Sequence, residues 1–214
     1  MKNLFKRSLL VLMILAMLAL TACNSKSDSK SDFTTGSFEG TVFTNEWANM
    51  KFTFPEDIIV ASQDEIKELI KQGNAGLYED DEKLEKAINK AAELKLAYDF
   101  LVSNADGTLN FQLFYENLSL SIGGTSYTEK KYLDTSLEPV LANKDLGYEL
   151  LNEGTRTIAG KEFLCYSLSG YNGIVMQDMY CYKQDNRMII FAATYTPDKE
   201  KEAADIIDKI SVAK

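Results

Sequence analysis

The chain has 214 residues, a net charge of −9 at neutral pH and no histidine. Its acidic excess argues against nucleic-acid binding, which depends on lysine and arginine side chains that neutralise phosphates. Without histidine, the chain cannot form a Ser-His-Asp or Cys-His catalytic arrangement or the common histidine-containing zinc and copper sites.

The N-terminus has the pattern of a secretory signal peptide. Lys2, Lys6 and Arg7 precede an apolar run over residues 9–20, and a small-residue cleavage site follows the run. The run is too short for a permanent span, because a bilayer core of roughly 30 Å needs about twenty helical residues. Removal of residues 1–22 takes away these three positive charges and changes the net charge from −9 to −12.

The motif Leu20-Thr21-Ala22-Cys23 ends the leader and resembles the lipobox of bacterial membrane lipoproteins. The resemblance implies that a diacylglyceryl group is attached to the Cys23 thiol and that cleavage leaves Cys23 as the first mature residue. Two or more acyl chains make a stable anchor, since each buried methylene contributes about 0.8 kcal/mol. The alternative is an ordinary cleaved signal in which the cysteine occurs by chance.

The residues that follow Cys23 are polar and lack apolar periodicity. Residues 24–31 read Asn-Ser-Lys-Ser-Asp-Ser-Lys-Ser, a composition that cannot build a core. We therefore predict a lipidated cysteine and flexible tether over residues 23–36 and a single globular domain over residues 37–214. A flexible tether of about fourteen residues spans roughly 20 Å and would lift the domain off the bilayer.

The domain is predicted to begin with two strands, residues 39–44 and 50–54. Phe52 and Phe54 lie on one face of the second strand, and Pro55 ends it.

Two helices are predicted next. Ser62-Gln63-Asp64-Glu65 is a capping box, behind which Ile66, Leu69 and Ile70 form an apolar stripe, and Gly73 is predicted to end this helix. Residues 80–94 form the second helix, whose acidic start suits the helix dipole.

The middle of the chain predicts a hairpin and a third helix. Residues 97–103 and 109–118 form the hairpin across the turn Asn104-Ala105-Asp106-Gly107. Ser126-Tyr127-Thr128-Glu129 is interpreted as another capping box, which opens a helix that Pro139 kinks or ends.

The second half is predicted to be rich in strands and to close with a helix. The strands are residues 148–151, 155–158, 161–168, 174–182 and 188–195. The last helix has Thr196 as its N-cap and Pro197 at its first position, with Ile206, Ile207 and Ile210 facing inward.

The late strands are apolar on both faces, which indicates a sheet that is covered on both sides. Met188 and Ile190 alternate with Ile189 and Phe191 in the last strand. Helices precede, interrupt and follow the strands. We therefore predict an α+β fold, a three-layer α/β/α sandwich around a largely antiparallel sheet.

The segment Asn49-Met50-Lys51-Phe52-Thr53-Phe54-Pro55 resembles the opening strand of the Mog1p/PsbP-like fold. The strand-rich second half with its capped terminal helix is similar to that fold too, so the resemblance covers residues 40–212. The tryptophan that often follows the proline in such proteins is replaced here by Glu56-Asp57-Ile58. No functional residue of that family can be placed on this sequence, and its partners are therefore not carried over.

Cys165 and Cys181 are the two cysteines that remain once Cys23 is lipidated, and an extracytoplasmic domain permits a disulfide between them. In an antiparallel hairpin, the residue numbers of two facing residues add up to a constant. Cys165 and Cys181 face each other only if this sum is 346. A two-residue Asn172-Gly173 turn makes the paired positions sum to 345, which places the cysteines on opposite faces. We predict two separate buried thiols, neither of them catalytic, because no basic neighbour in sequence lowers the pKa of either thiol.

Three polar segments are candidates for ligand sites. Glu79-Asp80-Asp81-Glu82 is interpreted as a solvated helix start rather than a cation site. Asn104-Ala105-Asp106-Gly107-Thr108 is interpreted as a turn, because a calcium loop would need a glutamate where Tyr115 stands. Ile122-Gly123-Gly124-Thr125 either offers backbone N–H groups to an anion or is a flexible turn before a helix.

Three tyrosines, Tyr166, Tyr180 and Tyr182, share a strand parity class and are candidates for a recognition surface, since tyrosine suits hydrated contacts. The alternative is packing in the core or at a sheet edge.

Two functions remain for a chain of this kind. The first is a surface-anchored, non-enzymatic binding or accessory module on the extracytoplasmic face of the cell membrane, held by Cys23 and bound to an unidentified envelope partner. The second is a hydrolase that works through paired carboxylates, which need no histidine. The sequence assigns no catalytic, cofactor-binding or metal-binding residue, and we expect no cofactor.

Overall fold

The computed structural model describes residues 33–77, 94–121 and 123–214, together with positions 83, 86, 89 and 90. Three α-helices are described over their full length, α1 (Gln63–Leu77), α2 (Glu129–Ala142) and α3 (Glu200–Ile207), and positions 83, 86, 89, 90, 94 and 95 are also α-helical. The strands are, in chain order, β1 (Ser37–Glu39), β2 (Val42–Asn45), β3 (Met50–Thr53), β4 (Ile59–Val60), β5 (Leu96–Ser103), β6 (Leu109–Asn117), β7 (Glu149–Ile158), β8 (Lys161–Gly170), β9 (Val175–Gln184) and β10 (Arg187–Tyr195).

The strands form two antiparallel sheets. The larger sheet has seven strands in the order β4-β5-β6-β10-β9-β8-β7, and the smaller sheet has the order β1-β2-β3. Every pairing in both sheets is antiparallel. The α+β fold around an antiparallel sheet is therefore confirmed.

The large sheet has a separate apolar core on each face, as the two-faced apolar pattern of β10 predicts. On the helical face, α1 and α2 pack against residues that include Met188 and Ile190. On the opposite face, the small sheet and α3 pack against residues that include Ile189 and Phe191. The three layers are confirmed, but the second outer layer is a small sheet together with one short helix.

The predicted strand over residues 39–44 is wrong, because the chain turns at Gly40, whose φ is +60°. Glu39 pairs with Val42 across this turn, so two short strands stand where one was expected. Phe52 and Phe54 do lie on one face, with stacked rings 6.0 Å apart. The seven residues that resemble the Mog1p/PsbP-like fold contain β3.

The capping box of α1 is confirmed, but its predicted end is wrong. The Glu65 N–H donates to the Ser62 hydroxyl at 3.3 Å, and the Ser62 N–H donates to the Glu65 carboxylate at 2.8 Å. The helix continues through Gly73 to Leu77. A glycine costs a helix interior about 1 kcal/mol, which is too little to stop the helix by itself.

The start of α2 lies two residues later than predicted. The Thr128 hydroxyl accepts from the Lys131 N–H at 3.2 Å and is the N-cap, whereas the Ser126 hydroxyl donates to the Gly123 carbonyl. Pro139 lies inside the helix, which ends at Ala142. The predicted helix over residues 80–94 lies largely outside the described residues, and the positions of it that are described, 83, 86, 89, 90 and 94, are helical as predicted.

The two strands predicted over residues 148–151 and 155–158 are one strand, β7, with a register shift between Leu150 and Asn152. The closing helix is preceded by a short 3-10 turn, in which Thr196 makes no side-chain cap bond. Ile206, Ile207 and Ile210 are buried as predicted. No helix in the described ranges has the length and hydropathy that a membrane crossing needs.

The register of the β8–β9 hairpin separates the two cysteines. Gly170 pairs with Val175 and Cys165 with Tyr180, so paired positions sum to 345 as predicted, although four residues rather than two form the loop. Cys181 is buried in the core of the helical face as predicted, whereas Cys165 packs at the opposite face and, contrary to the prediction, is only partly buried. Both are free thiols.

We expect both cysteines to be alkylated in denatured protein that has not been reduced. Burial raises the pKa of the Cys165 thiol to about 11 and that of Cys181 well above its usual value, so the folded protein reacts slowly. Intact mass spectrometry checks both points. A mass gain of about 2 Da on reduction, with both thiols protected from alkylation beforehand, would show a disulfide and contradict the register.

Candidate functional site

A cavity of about 640 Å3 lies between α1 and the beginning of β5. We call it the α1–β5 groove. Its size is within the range that ligand sites usually occupy. It is lined by Thr35, Gln63, Ile66, Lys67, Ile70, Lys71, Asn89, Leu96, Ala97 and Tyr98.

The groove exists because the edge strand β4 is much shorter than β5. β4 pairs only with Val102 and Ser103, and the Ala61 N–H then donates to the Leu101 carbonyl at 2.9 Å. The chain next turns into α1 and leaves the edge of β5. Within the part of the chain that the structure describes, no strand pairs with the outer edge of β5 from Leu96 to Tyr98.

The α1 wall combines apolar and cationic side chains. Ile66 and Ile70 are one helical turn apart and form the apolar part of the wall. Lys67 and Lys71 have the same spacing, are exposed and stand in a chain whose net charge is −9. Lys67 lies 3.6 Å from Asp64, an aspartate whose side chain is 96% exposed, so this ion pair is weak.

Asp99 holds the N-terminal segment that forms the other side of the groove. It lies at the register shift of β5 between Tyr98 and Phe100. Its carboxylate accepts from the Gly36 N–H at 2.8 Å, the Asn45 amide at 2.7 Å and the Tyr115 hydroxyl at 2.5 Å.

The same segment is held by aromatic contacts. Phe33 packs edge-on against Trp47 and Tyr115, with ring centroids 5.0 and 5.1 Å away, and the Arg187 guanidinium lies 3.7 Å from the Phe33 ring centroid. Residues 33–36, which the sequence analysis assigns to the tether, therefore pack on the domain.

A second buried carboxylate, Glu116, lies on the helical face of the sheet. It accepts from the Tyr132 hydroxyl at 2.8 Å and from the Ser121 hydroxyl at 3.4 Å. Lys95, which is 5% exposed, donates to the same Ser121 hydroxyl at 3.0 Å. Burial raises the pKa of Glu116 and lowers the pKa of Lys95, and the attraction between the two charges opposes both shifts.

These two carboxylates do not form a catalytic pair. Asp99 bonds to Tyr115 in the core of one face, and Glu116 bonds to Tyr132 in the core of the other face. Ser121 and Lys95 are the residue types of a serine–lysine dyad, but a base in such a dyad must be a neutral amine. Burial lowers the pKa of Lys95 and so favours the neutral amine, and the Glu116 carboxylate opposes this shift. The three side chains form a buried network in which the Ser121 hydroxyl bridges the Lys95 and Glu116 charges.

The three tyrosines predicted as a recognition surface are not brought together on one. Tyr166 and Tyr180 are each 1% exposed and lie in the cores of opposite faces. Their separation follows from the register, in which Tyr166 pairs with Met179. Tyr182 is partly buried and packs against Phe163. The alternative interpretation, packing within the sheet, describes these residues.

The other polar segments have structural roles where they are described. The Thr108 N–H donates to Asp106 at 3.1 Å in the turn before β6, as the turn interpretation predicts. The Gly124 N–H donates to the Ser121 carbonyl at 3.0 Å. No group of metal-ligating side chains occurs among the described residues. Cys23, Glu79-Asp80-Asp81-Glu82 and Ile122 lie outside them.

Sequence reasoning missed the α1–β5 groove. The available signal was the pairing of Ile66 and Ile70 with Lys67 and Lys71 on one helix, since lysines beside the apolar stripe mark the border of the buried face. The short length of β4 had no signal of its own, because it is set by where the chain turns into α1.

The buried Asp99 carboxyl predicts a pH effect on stability. Burial raises its pKa despite its three hydrogen bonds, so at pH values between the unfolded and the folded pKa the folded state binds more protons than the unfolded state. Stability from this group is therefore present below the unfolded pKa of about 3.9 and is lost as pH rises through the folded pKa. Relative to Asp99→Asn, the wild type should lose free energy of unfolding across this window. Urea denaturation of both proteins from about pH 4 to pH 7 measures the difference in their free energies of unfolding. A difference that does not change with pH would contradict the prediction.

No family model matches the chain, and no curated protein matches it significantly. Solved structures that are similar to it include cyanobacterial PsbP (CyanoP) from Synechocystis sp. PCC 6803, with 10% identity, a TM-score of 0.47, and coverage of 87% of this chain and 98% of the other. Another is LpqN, involved in cell envelope biogenesis of Mycobacterium tuberculosis, with 11% identity, a TM-score of 0.35, and coverage of 76% and 82%. At these identities no residue, ligand or partner of either protein is transferred to this chain.

Proposed function

We propose that this chain is a lipid-anchored, extracytoplasmic and non-enzymatic binding module, and that it binds a protein partner of the cell envelope in the α1–β5 groove. The observation that carries the proposal is a cavity of about 640 Å3 whose α1 wall carries two exposed lysines, Lys67 and Lys71, in a chain with a net charge of −9. Sites with a few polar groups in a mostly apolar cleft are the usual places of ligand binding. The buried carboxylates lie on opposite faces of the sheet and do not favour a carboxylate-dependent hydrolase.

The anchor part of the proposal rests on the lipobox resemblance of Leu20-Thr21-Ala22-Cys23. We expect Cys23→Ala to release the protein into the medium or to leave it as an unprocessed precursor, because no acyl chain can be attached to alanine. Fractionation of cells with metabolic lipid labelling measures this. A variant that stays in the membrane, correctly processed and lipid-labelled, would contradict the anchor.

The binding part is tested by photocrosslinking in intact cells of the bacterial host. A photoreactive amino acid replaces Lys71 at the groove in one variant and Lys144, an exposed lysine in the turn after α2, in the control. We expect a discrete protein adduct from position 71 alone. The absence of an adduct, or equal adducts from both positions, would overturn the assignment of the groove.

A further inference from the structure

We infer that one end of the domain lies against anionic lipid headgroups of the bilayer to which the chain is anchored. This end, which we call the anchor end, consists of Phe33, Trp47, Lys161, Lys183 and Arg187. The inference rests on the proposed function, since it requires the lipid anchor on Cys23, and it adds which surface the anchored domain turns toward the membrane.

Side-chain contacts bring the anchor end together. The Arg187 guanidinium lies 3.7 Å from the Phe33 ring centroid, which is 5.0 Å from the ring centroid of Trp47. The Gln184 side-chain N–H donates to the Trp47 carbonyl at 2.8 Å, and the Gln184 side-chain oxygen accepts from the Lys161 ammonium at 2.7 Å. Residues that are distant in sequence therefore form one partly exposed surface at this end of the large sheet.

The position of Phe33 limits which surface can reach the bilayer, because only nine residues separate it from Cys23. A chain of this length spans at most about 36 Å when fully extended, and a flexible chain spans about half of that distance. Ile174, at the tip of the β8–β9 hairpin, lies about 30 Å from Gln184 at the other end of β9. An anchored Cys23 therefore keeps the anchor end near the bilayer, whereas the hairpin tip reaches it only if the nine residues run fully extended along the domain.

The three cations of the anchor end have no carboxylate partner among the described residues. None of Lys161, Lys183 and Arg187 forms an ion pair there. The Lys183 ammonium donates instead to the neutral carbonyls of Thr125 at 2.7 Å and Tyr127 at 2.8 Å. Burial lowers the pKa of Lys161 and that of Arg187, and no described carboxylate offsets either shift. Phosphate groups of a lipid surface would supply the missing negative charge.

The carboxylates near this end do not cancel its positive charge. Glu46 lies 3.0 Å from the Lys214 ammonium. Glu129 accepts from a backbone N–H of β9 at 3.0 Å and stands in the first turn of α2, where the helix dipole favours a negative charge. The exposed Asp185 and Glu162 remain, so the three cations leave the anchor end with a net positive charge.

The distribution of charge therefore orients the domain. An anionic surface repels the chain as a whole, whose net charge is −9, and it repels most strongly the end that carries the exposed Asp106 and Asp198. Each lysine or arginine near such a surface contributes about 1 kcal/mol of attraction. Tryptophan is enriched at the headgroup level of membranes, which suits the partly exposed Trp47. The anchor end is thus the surface at which reach, charge and aromatic side chains all favour the bilayer.

The test uses the lipidated full chain, purified from cells and reconstituted into vesicles of phosphatidylcholine and phosphatidylglycerol. A fraction of the lipid carries a nitroxide on its headgroup, which quenches tryptophan emission at the membrane surface. Trp47 is the only tryptophan of the chain, and W47F/I174W moves the tryptophan to the hairpin tip as a control. We expect the quenching of Trp47 to exceed that of the control tryptophan by about twofold or more.

Vesicles of phosphatidylcholine alone test the role of charge without any change to the protein. In these vesicles the quenching of Trp47 should fall by about half, because the cations lose their anionic partners. K183Q/R187Q should lower the quenching in the anionic vesicles to a similar level. The control K144Q/K201Q removes two positive charges at exposed sites elsewhere and should leave the quenching nearly unchanged.

Equal quenching of Trp47 and of the control tryptophan would overturn the inference. Quenching of Trp47 that responds neither to phosphatidylglycerol nor to K183Q/R187Q would overturn it as well. Either result, obtained with protein that carries lipid on Cys23, would reject only the membrane-facing surface and leave the anchor and the binding groove of the proposed function standing. A chain without lipid on Cys23 would overturn both the anchor and this inference.

Discussion

Asp99→Ala should lower the free energy of unfolding by about 3 kcal/mol, because two buried side-chain donors and one partly buried backbone donor lose their acceptor at once. These donors are the Gly36 N–H, the Asn45 amide and the Tyr115 hydroxyl. Each unpaired buried donor costs about 1–3 kcal/mol, and Asn45 retains a bond to the Thr34 carbonyl. The loss should be local first, since Asp99 ties residues 33–36 to the domain.

Trp47 provides the measurement, because it is the only tryptophan of the chain and its ring packs 5.0 Å from Phe33. We expect its emission to shift to longer wavelength in Asp99→Ala before global unfolding, and urea denaturation gives the loss of stability. The control is Asp64→Ala, whose carboxylate is 96% exposed and which should change stability by less than about 0.5 kcal/mol. If the two substitutions lower the free energy of unfolding equally, the hydrogen bonds of Asp99 do not stabilise the fold.

The elements that the sequence predicts well are those whose signals are local. The Ser62–Glu65 capping box and the alternation of β10 each depend on neighbouring residues, and both are confirmed. The β8–β9 register follows because a short hairpin loop fixes which residues pair. This register also explains why Tyr166 and Tyr180 cannot share a surface.

The features that sequence reasoning missed depend on contacts between distant residues. Asp99 is separated by 63 positions from Gly36, and no local pattern marks it as the residue that holds the N-terminal segment. Glu116 lies in the apolar strand β6, and a glutamate is ordinarily predicted to face solvent. In the structure it is buried, with Tyr132 on α2 and Lys95 before β5 as neighbours. The groove likewise results from the meeting of α1 with a strand that follows it by about twenty residues.

Glu116→Leu should have the largest effect among the charged residues of the core. The substitution removes the acceptor of the Tyr132 hydroxyl and the electrostatic attraction between the Glu116 carboxylate and the buried Lys95 ammonium. Removal of one member of a buried ion pair typically costs about 3–5 kcal/mol, because the other charge remains in a poorly hydrated site. We expect a loss of this size in urea denaturation.

The double substitution Lys95→Met with Glu116→Leu separates the two sources of this loss. If the penalty comes from the lost attraction between the Glu116 and Lys95 charges, the double variant should regain most of it, since apolar residues of similar volume often replace a buried ion pair without net loss. The double-mutant cycle with Lys95→Met alone should then give a coupling energy of about 2 kcal/mol or more. A double variant as unstable as the sum of the two single variants would show instead that Glu116 acts through Tyr132 and Ser121 alone. The remaining cost in the double variant measures those two hydroxyl groups, which keep their positions but lose their carboxylate.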